Sequence, residues 1–390
     1  REGVSINRHA AQLLAVVSDL YRATPEASAL FQSRRSSEGC LREGETFHNP
    51  AFENFLDMLI AEGARWFYEG DIGRLIESTC REEGGHLRRA DFEQYAVILR
   101  EPLMVARQGS RIWINPPPSM GGTLMAIGLS LREPPPPAEF PFRKREDWLH
   151  WIEPLRLMSL LRSGNPGRHL SSGEQSLLHN TLQAHPDLRR ALSILFPEML
   201  PHLRSQGTTQ ISVMDSAGNA ISMTTSNGAG SAVIPEGTGF MMNNMLGEED
   251  LQPAGPDTWE PGRRLASMMA PVIAELPDGA RIVTGSGGSN RIRSTLLQIL
   301  RHLVDRRASL DEAVLAPRLH WENNQLHAET EAFSALPPDW EDPVIEHPIP
   351  NLFFGGAHSV GSDPGGRLLG TADPRRGGAV EHVRAGPRRH

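Results

Sequence analysis

The sequence predicts a mixed α and β protein, with a strand-rich centre and helices on either side of it. Apolar residues recur at helical spacing early in the chain, as at Phe52, Phe55 and Leu59. From Thr209 onward apolar and polar residues alternate, which is typical of strands, and a helical pattern returns over 291–305. On their own, these three observations support a mixed α and β class.

Helices in the first hundred residues have recognisable ends. Asn49 before Pro50 is a predicted N-cap with proline at the first helical position. Gly84-Gly85 is predicted to end a helix over 71–83. The elements predicted after these are strands at 97–106 and 111–115, helices at 121–131, 146–163, 173–184 and 187–199, strands at 209–215, 219–226, 237–243, 271–276 and 280–285, and a helix at 291–305.

Composition limits the possible partners. The 390 residues, 39% of them hydrophobic, can bury a sizeable core, which we expect to form two lobes. A net charge of -8 argues against a nucleic acid or an anionic membrane as partner. No apolar run approaches the length of a membrane span, and no signal peptide is recognisable. Cys40 and Cys80 cannot form a disulfide framework, so we expect free thiols.

The pattern of the chain changes at Thr208. Before it lies a stretch rich in Pro, Arg and His; after it, Ile211–Met214 and Ala220–Ser226 alternate around a tight polar turn. If the bond before such a threonine is cut, the residue gains a free α-amine beside its hydroxyl. One residue then supplies both a nucleophile and a base.

Five motifs resemble those of γ-glutamyltranspeptidases, in the same order and at similar spacing. They are Pro116–Gly122, Thr208-Thr209 with its hairpin, Gly237–Asn244, Thr284–Gly288 and Gly370–Arg375. The resemblance extends over nearly the whole chain and is weakest between about Arg145 and Gln206. Because Arg1-Glu2-Gly3-Val4 lacks an initiator methionine and resembles the middle of the family's large subunit, we expect the sequence to be a fragment.

The resemblance implies the α+β class and an N-terminal-nucleophile hydrolase fold, a four-layer αββα sandwich, here incomplete at the N-terminus. It implies self-cleavage between Gly207 and Thr208, which makes residues 1–207 part of a large subunit and 208–390 the small subunit. Thr208 would attack the γ-glutamyl amide of glutathione or another γ-glutamyl compound. Water, an amino acid or a peptide would then accept the acyl group from the Thr208 ester. No cofactor and no metal are implied.

Three further positions match the family's catalytic groups. Ser226 matches a hydroxyl that orients the nucleophile, although Thr is usual there. Gly287 and Gly288 match the oxyanion-hole glycines, whose N–H groups can approach a reacting oxygen without an intervening Cβ. Since Gly287 stands where the family commonly has Pro, the register Gly288-Ser289 stays open, as does a plain strand-to-helix turn before a helix starting near Asn290.

Three positions match the family's substrate-binding groups: Asn227, Glu248 and Ser267. Asn227 matches only if one residue is deleted before it, and it is equally suited to a simple turn. Glu248 would bind the substrate α-ammonium, or else lie in a solvated acidic loop. Met245 and Ala266 replace residues that usually assist, and the Arg that pairs with the α-carboxylate would lie upstream of the chain.

Two other functions stay open. One is an amidase or acylase of different acyl specificity, since Met245 and Ala266 alter the glutamate-binding set. The other is an inactive paralogue that serves as a scaffold. A serine hydrolase lacks its Gly-x-Ser-x-Gly elbow, and no His-Glu-x-x-His or Cys/His cluster predicts a metal site. Asp373 is expected to be structural, paired with Arg375 or a backbone donor.

Overall fold

The computed structural model describes residues 2–131, 142, 144–162, 172–195, 208–248, 261–348 and 351–383. They form two compact units, one of residues up to Arg100 with Asn227–Met245, the other of Glu101–Ser226 with the residues from Leu246 onward. Among the helices described, none combines the length and the apolar character needed to cross a membrane. The subunit boundary at Thr208 stays a prediction.

The first unit consists of helices around an aromatic core. Its elements are β1 (Val4–Ser5), α1 (Arg8–Val16), α2 (Pro25–Phe31), β2 (Thr46–Phe47), α3 (Pro50–Glu62), α4 (Ala64–Tyr68), α5 (Asp71–Glu82) and α6 (Arg89–Glu93). Asn49 caps α3 as predicted, because its Oδ1 accepts the Phe52 N–H at 3.0 Å. Phe55 of α3 packs against Phe240, with ring centroids 5.0 Å apart, so the segment 227–245 contributes to this core.

The strand predicted over 237–243 is wrong, since this segment is an irregular loop. Gly237 and Gly239 have φ angles of +74° and +67°, outside the β region. Asn49 Nδ2 donates to the Gly239 carbonyl at 2.7 Å. A Cβ on Gly239 would lie 2.4 Å from the Phe52 nitrogen. The loop therefore follows the N-terminus of α3 instead of joining a sheet.

The second unit contains a six-stranded antiparallel sheet. Strands of this unit are β3 (Leu103–Arg107), β4 (Ser110–Ile114), β5 (Thr208–Met214), β6 (Ala220–Ser226), β7 (Val272–Glu275), β8 (Arg281–Thr284), β9 (Ser286–Gly287), β10 (Leu319–Glu322), β11 (Gln325–Glu329), β12 (Val344–His347), β13 (Gly356–Ala357), β14 (Ser359–Ser362) and β15 (Leu368–Thr371). The sheet order is β15-β14-β8-β7-β4-β3. The strand predicted from residue 97 begins only at Leu103, because Pro102 lacks an N–H for the ladder.

The β5–β6 hairpin lies on this sheet through its polar face. Ser212 Oγ donates to the His358 carbonyl at 2.7 Å, and Ser222 Oγ donates to the Thr284 carbonyl at 2.8 Å. The opposite face of the hairpin carries apolar side chains that are 44–62% exposed, namely Ile211, Val213, Ile221 and Met223. The hairpin thus forms a second β layer whose outer face is apolar and uncovered by the described residues.

Helices of this unit pack against the sheet and against one another. The helices of this unit are α7 (Met120–Ser130), α8 (Arg145–Arg162), α9 (Ser172–Ala184), α10 (Pro186–Leu195), α11 (Arg291–Asp305), α12 (Leu310–Leu315) and α13 (Thr330–Ser334). α7 and α11 pack against each other, and both are buried almost throughout. Their bounds agree with the predictions, as do those of α8 and α9, whereas residues 196–199 of the last predicted helix before the hairpin lie outside the described residues.

Buried ion pairs fix the closing motif, which is Gly370–Arg375, to the rest of the second unit. Arg318 Nη2 lies 2.8 Å from Asp373 Oδ2, and Arg375 donates through Nε and Nη2 to the two carboxylate oxygens of Glu329, each at 2.6 Å. Asp373 also accepts the N–H groups of Arg375 and Ala357, each at 3.0 Å. Asp373 is structural, as predicted.

Candidate active site

Thr208 and Ser226 face each other at the open end of the hairpin. They are directly opposite in the β5–β6 register, which runs from this rung to Met214 and Ala220 at the turn. The Thr208 hydroxyl donates to the Ser226 Oγ at 3.3 Å, and both residues are half-buried. The register follows from two strands of equal length joined by a tight turn. Gly207 lies outside the described residues, so only one side of the predicted scissile bond is described.

Gly287 lies against the backbone of Thr208. It belongs to β9, which pairs with β13 so that Gly287 is opposite Gly356. A Cβ added to Gly287 would be 2.1 Å from the Thr208 carbonyl oxygen, far inside van der Waals contact. Glycine is therefore required at this position, because strand β5 comes too close to the Gly287 backbone to leave room for a side chain.

Gly288 makes the turn from β9 into α11. Its φ of +128° suits only glycine, and a Cβ there would lie 2.8 Å from the Gly355 Cα. Its carbonyl accepts the Arg291 N–H at 3.0 Å, while its own N–H donates to no acceptor in the described part of the chain. Helix α11 begins at Arg291 after Asn290, as predicted, so its positive end is directed at this turn. Gly288 belongs to both pairs of residues considered for the oxyanion hole, Gly287-Gly288 and Gly288-Ser289.

Gln210 was missed by sequence reasoning. Its side chain is buried between the hairpin strands and Gly285, which lies just before the glycine turn at Gly287-Gly288. Its Nε2 donates to Ser212 Oγ and Ser222 Oγ, both at 3.0 Å. A Cβ on Gly285 would meet its Oε1 at 2.0 Å. The available signal was the polar series at 208, 210 and 212, which shows that the buried face of this hairpin is polar.

Arg376 was also missed, because the closing motif was followed only as far as Arg375. Its Nη1 and Nη2 lie 3.7 and 3.6 Å from the positions that a Cβ would take on Gly287 and Gly288. Only 9% of the residue is exposed. Burial, and then the charge of Arg291, lower the pKa of Arg376 to about 10, so the guanidinium is still charged at neutral pH.

Glu248 and Ser267 belong to the same unit as Thr208. Glu248 is buried, so the solvated acidic loop considered for it is wrong for this residue. The rest of that acidic run, Glu249 and Asp250, lies outside the described residues. Ser267 accepts the Met120 N–H on its carbonyl at 2.8 Å, which brings the Pro116–Gly122 motif onto the segment carrying Ser267.

Asn227 belongs to the first unit. It is exposed, its Nδ2 donates to the Met241 carbonyl at 3.1 Å, and its own carbonyl accepts the Gly230 N–H at 3.0 Å. These contacts are those of a turn residue, which was one of its two interpretations. The substrate-binding role of Asn227 stays a prediction.

Among the residues that the structure describes, no group of three or more His, Cys, Asp or Glu side chains is arranged to hold a metal ion.

Comparison with known proteins identifies the family. The family model described as Gamma-glutamyltranspeptidase matches residues 1–383. The chain is 30% identical over 348 residues to the acylase ACY 1 proenzyme of Pseudomonas sp. (strain V22), covering 85% of this chain and 60% of that protein. It is 26% identical over 388 residues to the glutathione hydrolase proenzyme of Pseudomonas sp. (strain A14), covering 89% of this chain and 67% of that protein.

Comparison with solved structures supports the fold that the sequence predicts. The cephalosporin acylase from Bacillus halodurans superposes with a TM-score of 0.76 at 19% identity, over 99% of this chain and 72% of that one. The predicted α+β class and N-terminal-nucleophile hydrolase fold are thereby confirmed. The chain spans 60% of the length of the Pseudomonas acylase and 67% of that of the Pseudomonas glutathione hydrolase. The chain belongs to the gamma-glutamyltranspeptidase family.

Proposed function

We propose that the whole protein is a self-processing γ-glutamyltransferase and hydrolase. The precursor is cleaved between Gly207 and Thr208, so residues 1–207 end the large subunit and residues 208–390 form the small one. The donor is glutathione or another γ-glutamyl compound, and the acceptor is water, an amino acid or a peptide.

The reaction runs through an ester on Thr208. The α-amine takes the hydroxyl proton as Oγ1 attacks the γ-carbonyl carbon, and the negative oxygen that forms is held by backbone N–H groups of the Gly287-Gly288 turn. The amide C–N bond then breaks, and the leaving amine takes the proton from the Thr208 ammonium. Water or an acceptor amine attacks the ester carbonyl and loses a proton to the Thr208 amine. The C–Oγ1 bond then breaks, Oγ1 takes that proton back, and the γ-glutamyl group leaves as the acid or as a new amide. An α-amine has an ordinary pKa of roughly 7.7–8.0 and so suits a base near neutral pH.

The observation that carries this proposal is the contact set of Thr208. Its hydroxyl is 3.3 Å from Ser226 Oγ, and its carbonyl touches Gly287. The Gly288 N–H, in the same turn, is without an acceptor in the described residues. The groups proposed as nucleophile, orienting hydroxyl and oxyanion donor thus belong to residues at one end of the hairpin and in the adjacent turn.

The substrate would be held by its α-ammonium and α-carboxylate. Glu248 is proposed to bind the ammonium, since a buried carboxylate attracts a cation strongly, and Ser267 to bind the carboxylate. Asn227 is proposed to assist at the ammonium end. No cofactor enters this reaction.

A related acylase is the second candidate. It is favoured by the similarity to the Pseudomonas acylase and by Met245 and Ala266, which replace polar residues of the glutamate-binding set. Two anilides that differ only in the α-amino group separate the candidates. A γ-glutamyltransferase prefers the anilide with the amino group and loses that preference in Glu248→Gln. An acylase turns over the anilide without it at least as well.

The test of the proposed function uses the full-length protein with its upstream residues. Mass spectrometry is expected to show two chains, the smaller one beginning at Thr208, and Thr208→Ala to abolish turnover of γ-glutamyl anilide. Thr209→Ala is the matched control, since Thr209 is the exposed neighbour on the same strand, and it should process and retain activity. One unbroken chain without turnover would instead indicate an inactive scaffold.

A further inference from the structure

We propose that Arg376 is a positioning residue whose charge keeps the liberated α-amine of Thr208 in its basic, unprotonated form. This inference rests on the proposed function, because the amine exists only after cleavage at Thr208. It concerns a residue next to the closing motif and not one of the groups that touch the substrate.

The position of Arg376 is set by its packing. Its Cβ, Cγ and Cδ lie 2.6, 2.9 and 3.3 Å from the point that a Cβ of Gly356 would occupy, so the side chain lies flat on that glycine. β13 pairs with β9, and the guanidinium therefore ends at the glycine turn. Its Nη1 and the Thr208 carbonyl oxygen both lie within 4 Å of the same point, the missing Cβ of Gly287.

No ion pair neutralises the Arg376 guanidinium within the described residues. Its one hydrogen bond there runs from Nη2 to the Leu352 carbonyl at 3.2 Å, and its Nε is buried without an acceptor. The nearby Asp373 carboxylate is engaged with Arg318 and Arg375 instead. A desolvated charge that lacks a counter-ion acts over a longer range than an exposed one.

Among the described residues, few charged or titratable side chains lie on the elements packed around Thr208. Strands β5, β6, β9 and β14 contain no such side chain. β8 carries Arg281, which contacts the Gly218 carbonyl at the far turn of the hairpin. His358 precedes β14, and burial lowers its pKa, so it is neutral at pH 7. Arg291, at the start of α11, adds a second positive charge beside Arg376.

A positive charge near an amine disfavours the ammonium form and lowers the amine's pKa. The attack by Thr208 requires the neutral amine, because only that form can take the hydroxyl proton. Arg376 thus raises the fraction of molecules that are ready to react at neutral pH. The same charge favours the oxyanion that forms at the glycine turn.

The test compares Arg376→Gln, Arg376→Lys and the wild type as processed full-length proteins. The pH dependence of kcat/KM reports the pKa of the base in the free enzyme. Arg376→Gln is expected to raise that pKa by about 0.5–1 unit, and Arg376→Lys, which keeps the charge, to restore most of the wild-type value. Arg281→Gln removes a charge from the other end of the hairpin, about 20 Å away, and should leave the pH dependence of kcat/KM unchanged.

A second measurement covers the case in which Arg376→Gln does not fold or process. The Cα chemical shift of the N-terminal threonine, followed by NMR with 13C-threonine, titrates with its amine. A wild-type pKa below the ordinary range of roughly 7.7–8.0 supports the inference, and a value within or above that range overturns it.

The outcomes separate the two proposals. If turnover requires Thr208 but Arg376→Gln lowers kcat equally at every pH, without shifting the pH dependence of kcat/KM, Arg376 is only structural. The inference about Arg376 is then wrong, and the proposed function still holds. If processing does not occur at Thr208, or turnover survives Thr208→Ala, the proposed function itself is wrong.

Discussion

The Thr208 hydroxyl lies 3.3 Å from the Ser226 hydroxyl, across the first rung of the hairpin. Because Ser226 is the neighbour that can fix the Thr208 χ1 angle through a hydrogen bond, Ser226→Ala is expected to lower kcat by about tenfold to a hundredfold while KM changes little. Ser226→Thr retains the hydroxyl and should remain close to the wild type. Steady-state kinetics on a γ-glutamyl anilide measures kcat and KM for both variants. If Ser226→Ala had the kcat and KM of the wild type, Ser226 would have no part in the mechanism.

Gly287→Ala should damage the site through its backbone. The new Cβ would lie 2.1 Å from the Thr208 carbonyl oxygen, so β5 or the glycine turn must shift. We expect loss of processing, or at least a hundredfold loss of kcat/KM, since misplacement by about 1 Å can cost that much. Gly173→Ala is the control, because a Cβ there meets nothing within 4 Å and the residue is helical. Normal processing and turnover in Gly287→Ala would show that Thr208 and this turn do not act together.

The ion pair between Arg375 and Glu329 should dominate the stability of the closing motif. Both side chains are at most 2% exposed, and Glu329→Gln leaves a buried guanidinium short of its counter-charge. We expect a loss of about 3–5 kcal/mol in the free energy of unfolding, measured with urea. Arg111→Gln breaks the exposed pair with Glu275 and should cost about 1 kcal/mol or less. Similar losses in the two variants would contradict the structural role given to this pair.

Acid should destabilise the second unit through its buried histidines. Burial lowers the pKa of His302 and of His320 to about 3, and burial with the neighbouring His347 lowers that of His327 to about 4. The unfolded chain therefore binds more protons, so stability is complete above about pH 6.5 and is lost as the pH falls from there toward 4. Each histidine contributes a slope of up to about 1.4 kcal/mol per pH unit.

Urea unfolding between pH 7.5 and 5 measures this slope. His327 stacks on Phe353 with centroids 4.6 Å apart, so His327→Phe keeps an aromatic ring there while removing one titrating group. Its stability should fall less steeply with decreasing pH than that of the wild type. A variant with an unchanged slope would show that His327 does not titrate differently in the two states.

Local patterns in the sequence were enough to predict α3, α5, α7, α8, α9, α11 and the hairpin, but not the short helices α12 and α13. Asn49 with Pro50 marks a helix start, and the alternation on either side of the turn at 215–219 marks two paired strands, so both could be read from adjacent residues. The strand at 237–243 could not be excluded in this way, because the loop is held by Asn49, a residue 190 positions away. Sequence patterns predict local conformation and carry little information on such distant contacts.

The residues of the candidate site could be predicted where a sequence motif identifies them. They could not be predicted where only the packing of distant segments brings a residue to the site. Thr208, Ser226 and the glycine turn follow from motifs and come together in the structure. Gln210 and Arg376 make contacts that form only when separate elements meet, and no motif singles out either residue. Polar residues on the sheet-facing side of the hairpin also reverse the usual expectation that the apolar face of a strand is the buried one.

The most direct test of the central claim is a mass spectrum of the processed full-length protein, quenched with acid during turnover of a γ-glutamyl donor. The account predicts a small subunit whose first residue is Thr208, with the γ-glutamyl group attached as an ester to the peptide that begins there. A chain that remains intact at Thr208, or an acyl group carried by another residue, would contradict it.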